Sequence, residues 1–294
     1  MCHRRCTIVG LMFAIWVGIE VVPLRADVVE VWLFAGQSNM VGGGHVDHLP
    51  PGFPLVQNNV LYTQNVSSTM IEDWGPLQPR LTENQAIRRW YGPELTFGKL
   101  FTEQAPQRQL GIIKFARNGT ALHSNWSPTG NTRASFYNFV DSSLASLAAQ
   151  NYTPVIRGMV WVQGEGDANI LANAVAYGDR LAEFVDEIRD RYHAPDMMFL
   201  FNQAHINLSR PYTAQLRDSQ AAFAQAAHRT WMVNIDDLSL KSDWVHFTSE
   251  TQQQLGYRFA SIAAIPEPST AWLWIGAGLM GGSARRTRRR IQAT

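Results

Sequence analysis

The chain has 294 residues, with 25 lysines and arginines against 24 aspartates and glutamates, and a formal net charge of +1 at pH 7. Much of the positive charge lies in the two ends, which leaves an acidic middle part without a basic face for nucleic acid. Both cysteines, Cys2 and Cys6, lie at the N-terminal end, so cysteine catalysis and cysteine-bound metals are excluded from that middle part.

Residues 1–26 have the pattern of a secretory signal peptide. Arg4 and Arg5 precede an apolar stretch over residues 7–22, and a polar segment follows Ala26. We therefore predict that the segment is removed after Ala26 and that the protein works outside the cytoplasm.

Residues 27–264 predict one domain in which strands alternate with helices. Five apolar runs have the length of buried strands, and the segments between them carry hydrophobic residues at helical spacing. This alternation indicates a parallel sheet covered on both faces, so we predict a three-layer α/β/α fold with a central five-stranded parallel sheet. The predicted strands are 28–34, 110–115, 155–162, 197–201 and 230–235, and the predicted helices are 95–103, 136–149, 174–192, 212–228 and 250–263.

Residues 41–91 fit no regular pattern, because Gly, Pro and Asn are frequent there. A connection of that length without regular structure is usually functional. We expect this segment to shape the substrate cleft.

Residues 265–294 have the pattern of a sorting signal. Pro266, Glu267 and Pro268 precede an apolar stretch over residues 271–282, and five arginines follow. This order resembles the PEP-CTERM signal of Gram-negative bacteria, which implies processing by an exosortase, transient membrane association and release to the cell surface or extracellular matrix. The apolar stretch is shorter than the ~20 residues that span a bilayer comfortably, and a retained membrane tail is the alternative.

Residues that can supply polar groups, from a side chain or from the backbone, follow four of the five predicted strands. Ligands bind outside the carboxyl ends of the strands in an open parallel sheet, so residues remote in sequence can meet there. We predict that they form one active site. They are Ser38 after the first strand, Gly119 after the second, Gln163 after the third, and Asp243 with His246 after the fifth.

The residue types in this set indicate serine esterase chemistry. His246 would take the proton of Ser38 as its oxygen attacks an ester carbonyl, and Asp243 would orient the imidazole. The backbone amides of Ser38 and Gly119 and the side-chain amide of Gln163 would form the oxyanion hole. One such donor typically contributes ~3 kcal/mol of transition-state stabilisation.

Five stretches give the chain a resemblance to a known superfamily. They are 36–40, 92–95, 114–120 with Trp126 beyond, 161–167 and 243–247. In these stretches the chain resembles the SGNH hydrolases, and more closely the sialate O-acetylesterase-like group that includes carbohydrate esterase family six. The resemblance implies a flavodoxin-like sheet and serine esterase activity on O-acetylated sugars such as sialic acid or xylan. It also implies no metal and no other cofactor.

Further residues in these stretches have supporting or substrate roles in this interpretation. Gln37 and Asn39 flank the candidate nucleophile, and Glu165 is available as a buried hydrogen-bond partner for nearby backbone. Trp126 is predicted to form a wall of the substrate site, with Arg117 as a second substrate contact, whereas Trp161 ends a strand and is assigned to the core.

Two local alternatives stay open. Asp236 and Asp237 compete for the acid role, but their position directly after the fifth strand favours an exit turn. His45, Asp47 and His48 suggest a metal site, but two histidines and one carboxylate without further ligands are more often solvated.

The function also has alternatives. Val162 and Gly166 depart from the residues usual in the family beside Gln163, which leaves a carbohydrate-binding surface or matrix protein without turnover as one alternative. A lipase or thioesterase of the same fold is the other.

Overall fold

The structure, a computed structural model, describes residues 27–67, 70–81 and 88–265. The predicted signal peptide and the predicted sorting tail after residue 265 lie outside these residues. Within the described ranges the chain forms ten strands. They are β1 (Asp27–Gly36), β2 (Gly44–His45), β3 (Gln57–Ser67), β4 (Met70–Leu77), β5 (Arg80–Leu81), β6 (Arg88–Tyr91), β7 (Leu110–Ala116), β8 (Tyr152–Val162), β9 (Met198–Asn202) and β10 (Thr230–Val233).

Helices alternate with the later strands, as the hydrophobic spacing predicts. The predicted helix over 174–192 is interrupted once, at Ala176, and becomes two helices. The helices are α1 (Ser38–Val41), α2 (Glu94–Gln104), α3 (Asn131–Ala149), α4 (Leu171–Val175), α5 (Tyr177–Arg191), α6 (Thr213–Ala226) and α7 (Ser249–Ala263).

Seven of the described strands form one sheet, in the order β10, β9, β8, β1, β7, β3, β4. All neighbours are parallel except β3 and β4, so the five predicted parallel strands are confirmed. The two additional strands come from residues 41–91, where we predicted no regular structure. A three-stranded sheet of β2, β6 and β5 also forms there.

The central strand β1 is buried on both faces of the sheet. Trp32 and Phe34 pack toward α2 and α7, while Val31, Leu33 and Ala35 pack toward α3, α5 and α6. A strand covered by helices on both sides needs apolar residues at every position, which explains its continuous apolar run. The predicted three-layer α/β/α architecture is confirmed.

The carboxyl ends of the three central strands lie side by side. Gly36 at the end of β1 pairs with Ala116 at the end of β7 and with Val162 at the end of β8. The segments that leave these strands therefore start next to one another, at one edge of the sheet. The functional site is built from them.

Candidate active site

The turn after β1 places Ser38 at this edge. Gly36 has a φ of 151° and lies so close to β8 that a Cβ atom would approach the carbonyl oxygen of Val162 to 2.0 Å, so only glycine fits. The amide of Gln37 donates to the same carbonyl at 3.0 Å, and α1 then begins at Ser38. Ser38 is half-buried, unlike its neighbours Gln37 and Asn39, which are buried.

His246 lies between Ser38 and Asp243. Its Nε2 atom is 3.0 Å from Ser38 Oγ, and its Nδ1 atom is 2.7 Å from Asp243 Oδ2. Because a carboxylate only accepts, the imidazole proton belongs on Nδ1, and Nε2 is free to accept the serine proton. The structure therefore brings three predicted residues into one hydrogen-bonded line.

The local backbone keeps the Asp243 carboxylate ionised. Partial burial by itself raises the pKa of Asp243, but hydrogen bonds from the His246 amide, the His246 imidazole and the Val245 amide hold it well below its usual range. Both amides donate to Asp243 Oδ1 at 2.9 Å. The negative charge is thus in place to stabilise an imidazolium on His246.

Asn39 connects the turn at Ser38 to the loop that carries His246. Its side-chain amide donates to Glu165 Oε1 at 2.5 Å and to the carbonyl oxygen of Val245 at 3.0 Å, and its Oδ1 accepts the amide of Phe247 at 3.0 Å. Burial raises the pKa of Glu165, while hydrogen bonds from its own backbone and from Asn39 oppose that rise in part. Asn39 and Glu165 thus hold the loop of His246 next to Ser38.

Gly119 lies in an open turn after β7. Its φ of 67° favours glycine, and a Cβ atom at this position would meet nothing within 4 Å. The loop that follows is held by the buried Asp167, whose carboxylate accepts the amides of Leu122 at 2.7 Å and His123 at 2.9 Å. Gly119 is exposed, and its backbone amide, next to a loop anchored in this way, suits a donor to a developing negative charge.

The structure contradicts the predicted oxyanion role of Gln163. Its Nε2 atom lies 2.9 Å from Asp167 Oδ2, 3.1 Å from Gln37 Oε1 and 3.3 Å from the carbonyl oxygen of Thr120. Its Oε1 accepts from the Tyr177 hydroxyl at 3.0 Å. An amide nitrogen carries two protons, and these acceptors use both. Gln163, through Gln37, instead joins the turn after β1 to the loop after β7.

A buried ion pair supports the segment that follows β1. Lys114 on β7 and Glu94 on α2 are 2.7 Å apart, and their side chains are 0% and 2% exposed. Lys114 Nζ also donates to the carbonyl oxygen of Val41 at 3.1 Å, and the Glu94 carboxylate accepts the amide of Gly92 at 3.0 Å. Burial lowers the pKa of Lys114, and the charge of Glu94 opposes that change. The pair therefore joins the end of α1 to β7 and α2.

The structure also contradicts the prediction that Trp126 forms a wall of the substrate site. Trp126 is 0% exposed, packs with its ring centroid 4.9 Å from that of Trp161, and donates its indole N–H to Thr120 Oγ1 at 3.0 Å. The loop after β7 folds back on the sheet and buries this aromatic side chain. Trp161 is 0% exposed, which confirms its assignment to the core.

Arg117 and the two competing aspartates have structural partners. The Arg117 guanidinium donates to the carbonyl oxygen and to Oδ1 of Asn65 on β3, both at 2.7 Å, and lies over the Phe115 ring. We therefore assign Arg117 to the scaffold rather than to substrate contact. The aspartates pair with guanidinium groups: Asp236 with Arg217, and Asp237 with Arg258.

The histidine cluster near β2 has other contacts. The His45 ring packs edge-on against Trp90, and His48 Nδ1 lies 2.7 Å from Ser249 Oγ. Across residues 27–67, 70–81 and 88–265, no group of three or more His, Cys, Asp or Glu side chains is arranged to hold a metal ion. In the same part of the chain, no helix combines the length and apolar content needed to cross a bilayer.

Residues 28–264 match the family described as carbohydrate esterase, sialic acid-specific acetylesterase. The chain belongs to this family. It is therefore a carboxylic ester hydrolase of the carbohydrate esterase type, and the resemblance seen in the sequence is confirmed. Residues 264–290 match the PEP-CTERM protein-sorting motif.

Several known proteins are similar to this carbohydrate esterase. A protein of Arabidopsis thaliana described as a "probable carbohydrate esterase" is 24% identical over 248 residues, which cover 79% of this chain and 88% of the relative. A crystal structure of an Arabidopsis thaliana protein has a TM-score of 0.64 at 21% identity, covering 80% of this chain and 97% of the other. A carbohydrate acetylesterase from Xanthomonas citri has a TM-score of 0.56 at 21% identity, covering 80% and 55%. These similarities show a shared fold.

Proposed function

We propose that this carbohydrate esterase is an exported serine O-acetylesterase, with Ser38 as nucleophile, His246 as general base and Asp243 as the group that orients the imidazole. The observation that carries the proposal is the hydrogen-bonded line from Ser38 Oγ to His246 Nε2 at 3.0 Å and from His246 Nδ1 to Asp243 at 2.7 Å. This spacing lies within the range required for proton transfer.

The reaction follows from these positions. His246 Nε2 takes the Ser38 proton as Oγ attacks the acetyl carbonyl carbon, and the backbone amides of Ser38 and Gly119 donate to the resulting oxyanion. The imidazolium then protonates the sugar oxygen, the C–O bond breaks, and the acetyl group stays on Ser38. Water, deprotonated by His246, releases acetate in the second half of the cycle.

The proposed substrate is an O-acetylated carbohydrate of the sialate or xylan type. Family membership supports the sugar as the alcohol part of the ester, and the serine mechanism itself needs no metal. Acetate release from acetylated xylan and from O-acetylated sialic acid, measured with the purified full chain, tests this choice.

Two variants test the mechanism. We expect Ser38→Ala and His246→Ala each to lower kcat by ~10³-fold or more, because each removes a group of the proton-transfer line. Matched controls are Ser142→Ala on the exposed face of α3 and His228→Ala, whose side chain is 68% exposed. Full activity in the Ser38→Ala variant would exclude the mechanism.

Two other outcomes would select the alternatives. A folded wild type that binds saccharide without releasing acetate, and that binds equally after Ser38→Ala, is the result expected of a carbohydrate-binding surface or matrix protein. A preference for long acyl chains over acetyl in a series of esters is the result expected of a lipase or thioesterase.

We also propose that residues 1–26 are a signal peptide, that residues 27–264 are the catalytic domain, and that residues 265–294 are a sorting tail. The PEP-CTERM match supports export, processing by exosortase-type machinery, transient membrane association of the tail and delivery to the surface or extracellular matrix of a Gram-negative bacterium. Terminal sequencing of the protein recovered from an exosortase-containing host tests this. We expect both end segments to be absent, and an uncut chain in the cytoplasm would contradict it.

A further inference from the structure

Trp244 lies inside the loop that carries two of the three residues of the triad. The residue is 54% exposed, and its backbone has a φ of 54°. A bulky residue in this left-handed conformation is strained, and an exposed indole does not offset that strain through core packing. Strain of this kind beside an active site points to a role in function.

Hydrogen bonds hold the backbone of Trp244 on both sides. Its amide donates to the carbonyl oxygen of Lys241 at 2.9 Å, and its own carbonyl accepts the amide of Ser209 at 3.0 Å. The next amide, that of Val245, donates to Asp243 Oδ1 at 2.9 Å. The indole is thus presented from a fixed backbone, so little conformational entropy is lost when a ligand packs against it.

The proton transfer determines where the sugar lies. His246 Nε2 receives the Ser38 proton and must then deliver it to the sugar oxygen, so that oxygen comes within ~3 Å of Nε2. Only the carbonyl carbon of the acetyl group lies between the attacking oxygen of Ser38 and the sugar oxygen. The sugar ring therefore lies on the His246 side of Ser38, and Trp244 is two residues before His246 in the same loop.

We propose that the Trp244 indole is the surface on which the acetylated pyranose ring stacks, and that this contact determines the preference for a sugar ester over a simple ester. The inference rests on the proposed function and adds a specificity residue to it. The flat apolar surface of an indole suits the apolar face of a pyranose, while its exposed position leaves the sugar hydroxyls in water.

The test compares two esters with the same acyl group. Acetylated xylo-oligosaccharides carry a sugar ring, and ethyl acetate carries no ring that could stack. The measured quantity is the ratio of kcat/KM for the saccharide to kcat/KM for ethyl acetate, with the full chain. We expect Trp244→Ala to lower this ratio about tenfold, the effect of losing a central aromatic contact, and Trp244→Phe to keep most of it.

Two further variants separate stacking from folding. Trp244→Gly suits the left-handed backbone, so we expect it to unfold at a temperature no lower than the wild type while losing the same preference. Trp231, on β10, is 36% exposed, so Trp231→Ala is the matched tryptophan control and should leave the ratio unchanged.

Three results would overturn the inference. The first is an unchanged ratio in Trp244→Ala and Trp244→Gly. The second is an equal loss on both esters, which would mean that Trp244 acts only through the loop. The third is a wild type that hydrolyses ethyl acetate but no acetylated saccharide. A wild type that hydrolyses neither ester would instead refute the proposed function itself, and the inference with it.

Discussion

Asn39 is the residue whose removal most directly tests how the proposed triad is held together. The substitution Asn39→Ala deletes three buried hydrogen bonds, to Glu165, to the carbonyl oxygen of Val245 and from the amide of Phe247. All of the reacting side chains stay in the protein. The perturbation therefore changes position and not chemistry.

The expected size follows from these contacts. Each bond contributes ~1 kcal/mol net, and leaving the Glu165 carboxylate and the Phe247 amide without their partner adds to the loss. We expect the free energy of unfolding to fall by about 3–5 kcal/mol. We also expect kcat to fall about 10²-fold, because a displacement of ~1 Å in a catalytic group has an effect of that order.

The assay combines urea unfolding, followed by tryptophan fluorescence, with kcat on 4-nitrophenyl acetate at a urea concentration where both proteins are folded. Asn131→Ala, at the exposed start of α3, is the matched control and should change neither quantity. A variant that loses the expected stability but keeps kcat within about threefold of the wild type would refute the positioning role, because a shift of the triad has a larger effect.

Three other substitutions give independent expectations. Glu165→Gln should become progressively more stable than the wild type as pH rises above the ordinary carboxyl pKa. The reason is that burial raises the pKa of Glu165 in the folded protein, so its ionisation opposes folding. An equal difference in unfolding free energy at about pH 5 and about pH 8 would contradict this. Lys114→Met should lower the free energy of unfolding by about 3–5 kcal/mol, because it leaves the Glu94 carboxylate buried without a counter-charge. Adding Glu94→Gln should restore part of the lost stability, measured by urea unfolding. No recovery in the double variant would count against the pairing. Asp243→Asn should lower kcat ~10³–10⁴-fold. The factor should stay similar from about pH 5 to about pH 9, because the pKa of Asp243 lies well below that range. A loss confined to one end of a pH–rate profile would argue against an ionised partner for His246.

The sequence predicts the sheet well where burial controls composition. A strand such as β1 has apolar residues at consecutive positions, and the intervening helices have clear hydrophobic spacing. Strand β3 differs, because its buried residues include Gln64 among Val60, Tyr62 and Val66, and the strand also contains three asparagines. This polar composition hides the alternation, so residues 41–91 were expected to be irregular.

Motif positions predict which residues meet, but not which way their side chains point. Ser38, Asp243 and His246 meet because they leave the carboxyl edge of the same sheet. Gln163 reaches the same edge, yet its amide turns inward to Asp167, four residues later in the chain. The role of Asp167 has no sequence signal of its own, because its partners are backbone amides of a loop remote in sequence.

The tryptophans show the same limit. Trp126 belongs to an irregular segment, which favours exposure, but its indole N–H has a partner in Thr120 and its ring completes the aromatic core. Trp244 lies within the triad motif, and only the backbone conformation and the exposed fraction distinguish it from a buried aromatic residue.

The most direct test of a serine esterase is covalent capture of its nucleophile. The full chain would be treated with a fluorophosphonate and analysed by mass spectrometry of its peptides, with acetate release measured in the same samples. We expect one adduct, on Ser38, whose extent equals the fraction of activity lost, and we expect His246→Ala to slow its formation. Loss of activity with no adduct on Ser38, or complete modification of Ser38 with activity retained, would contradict the account.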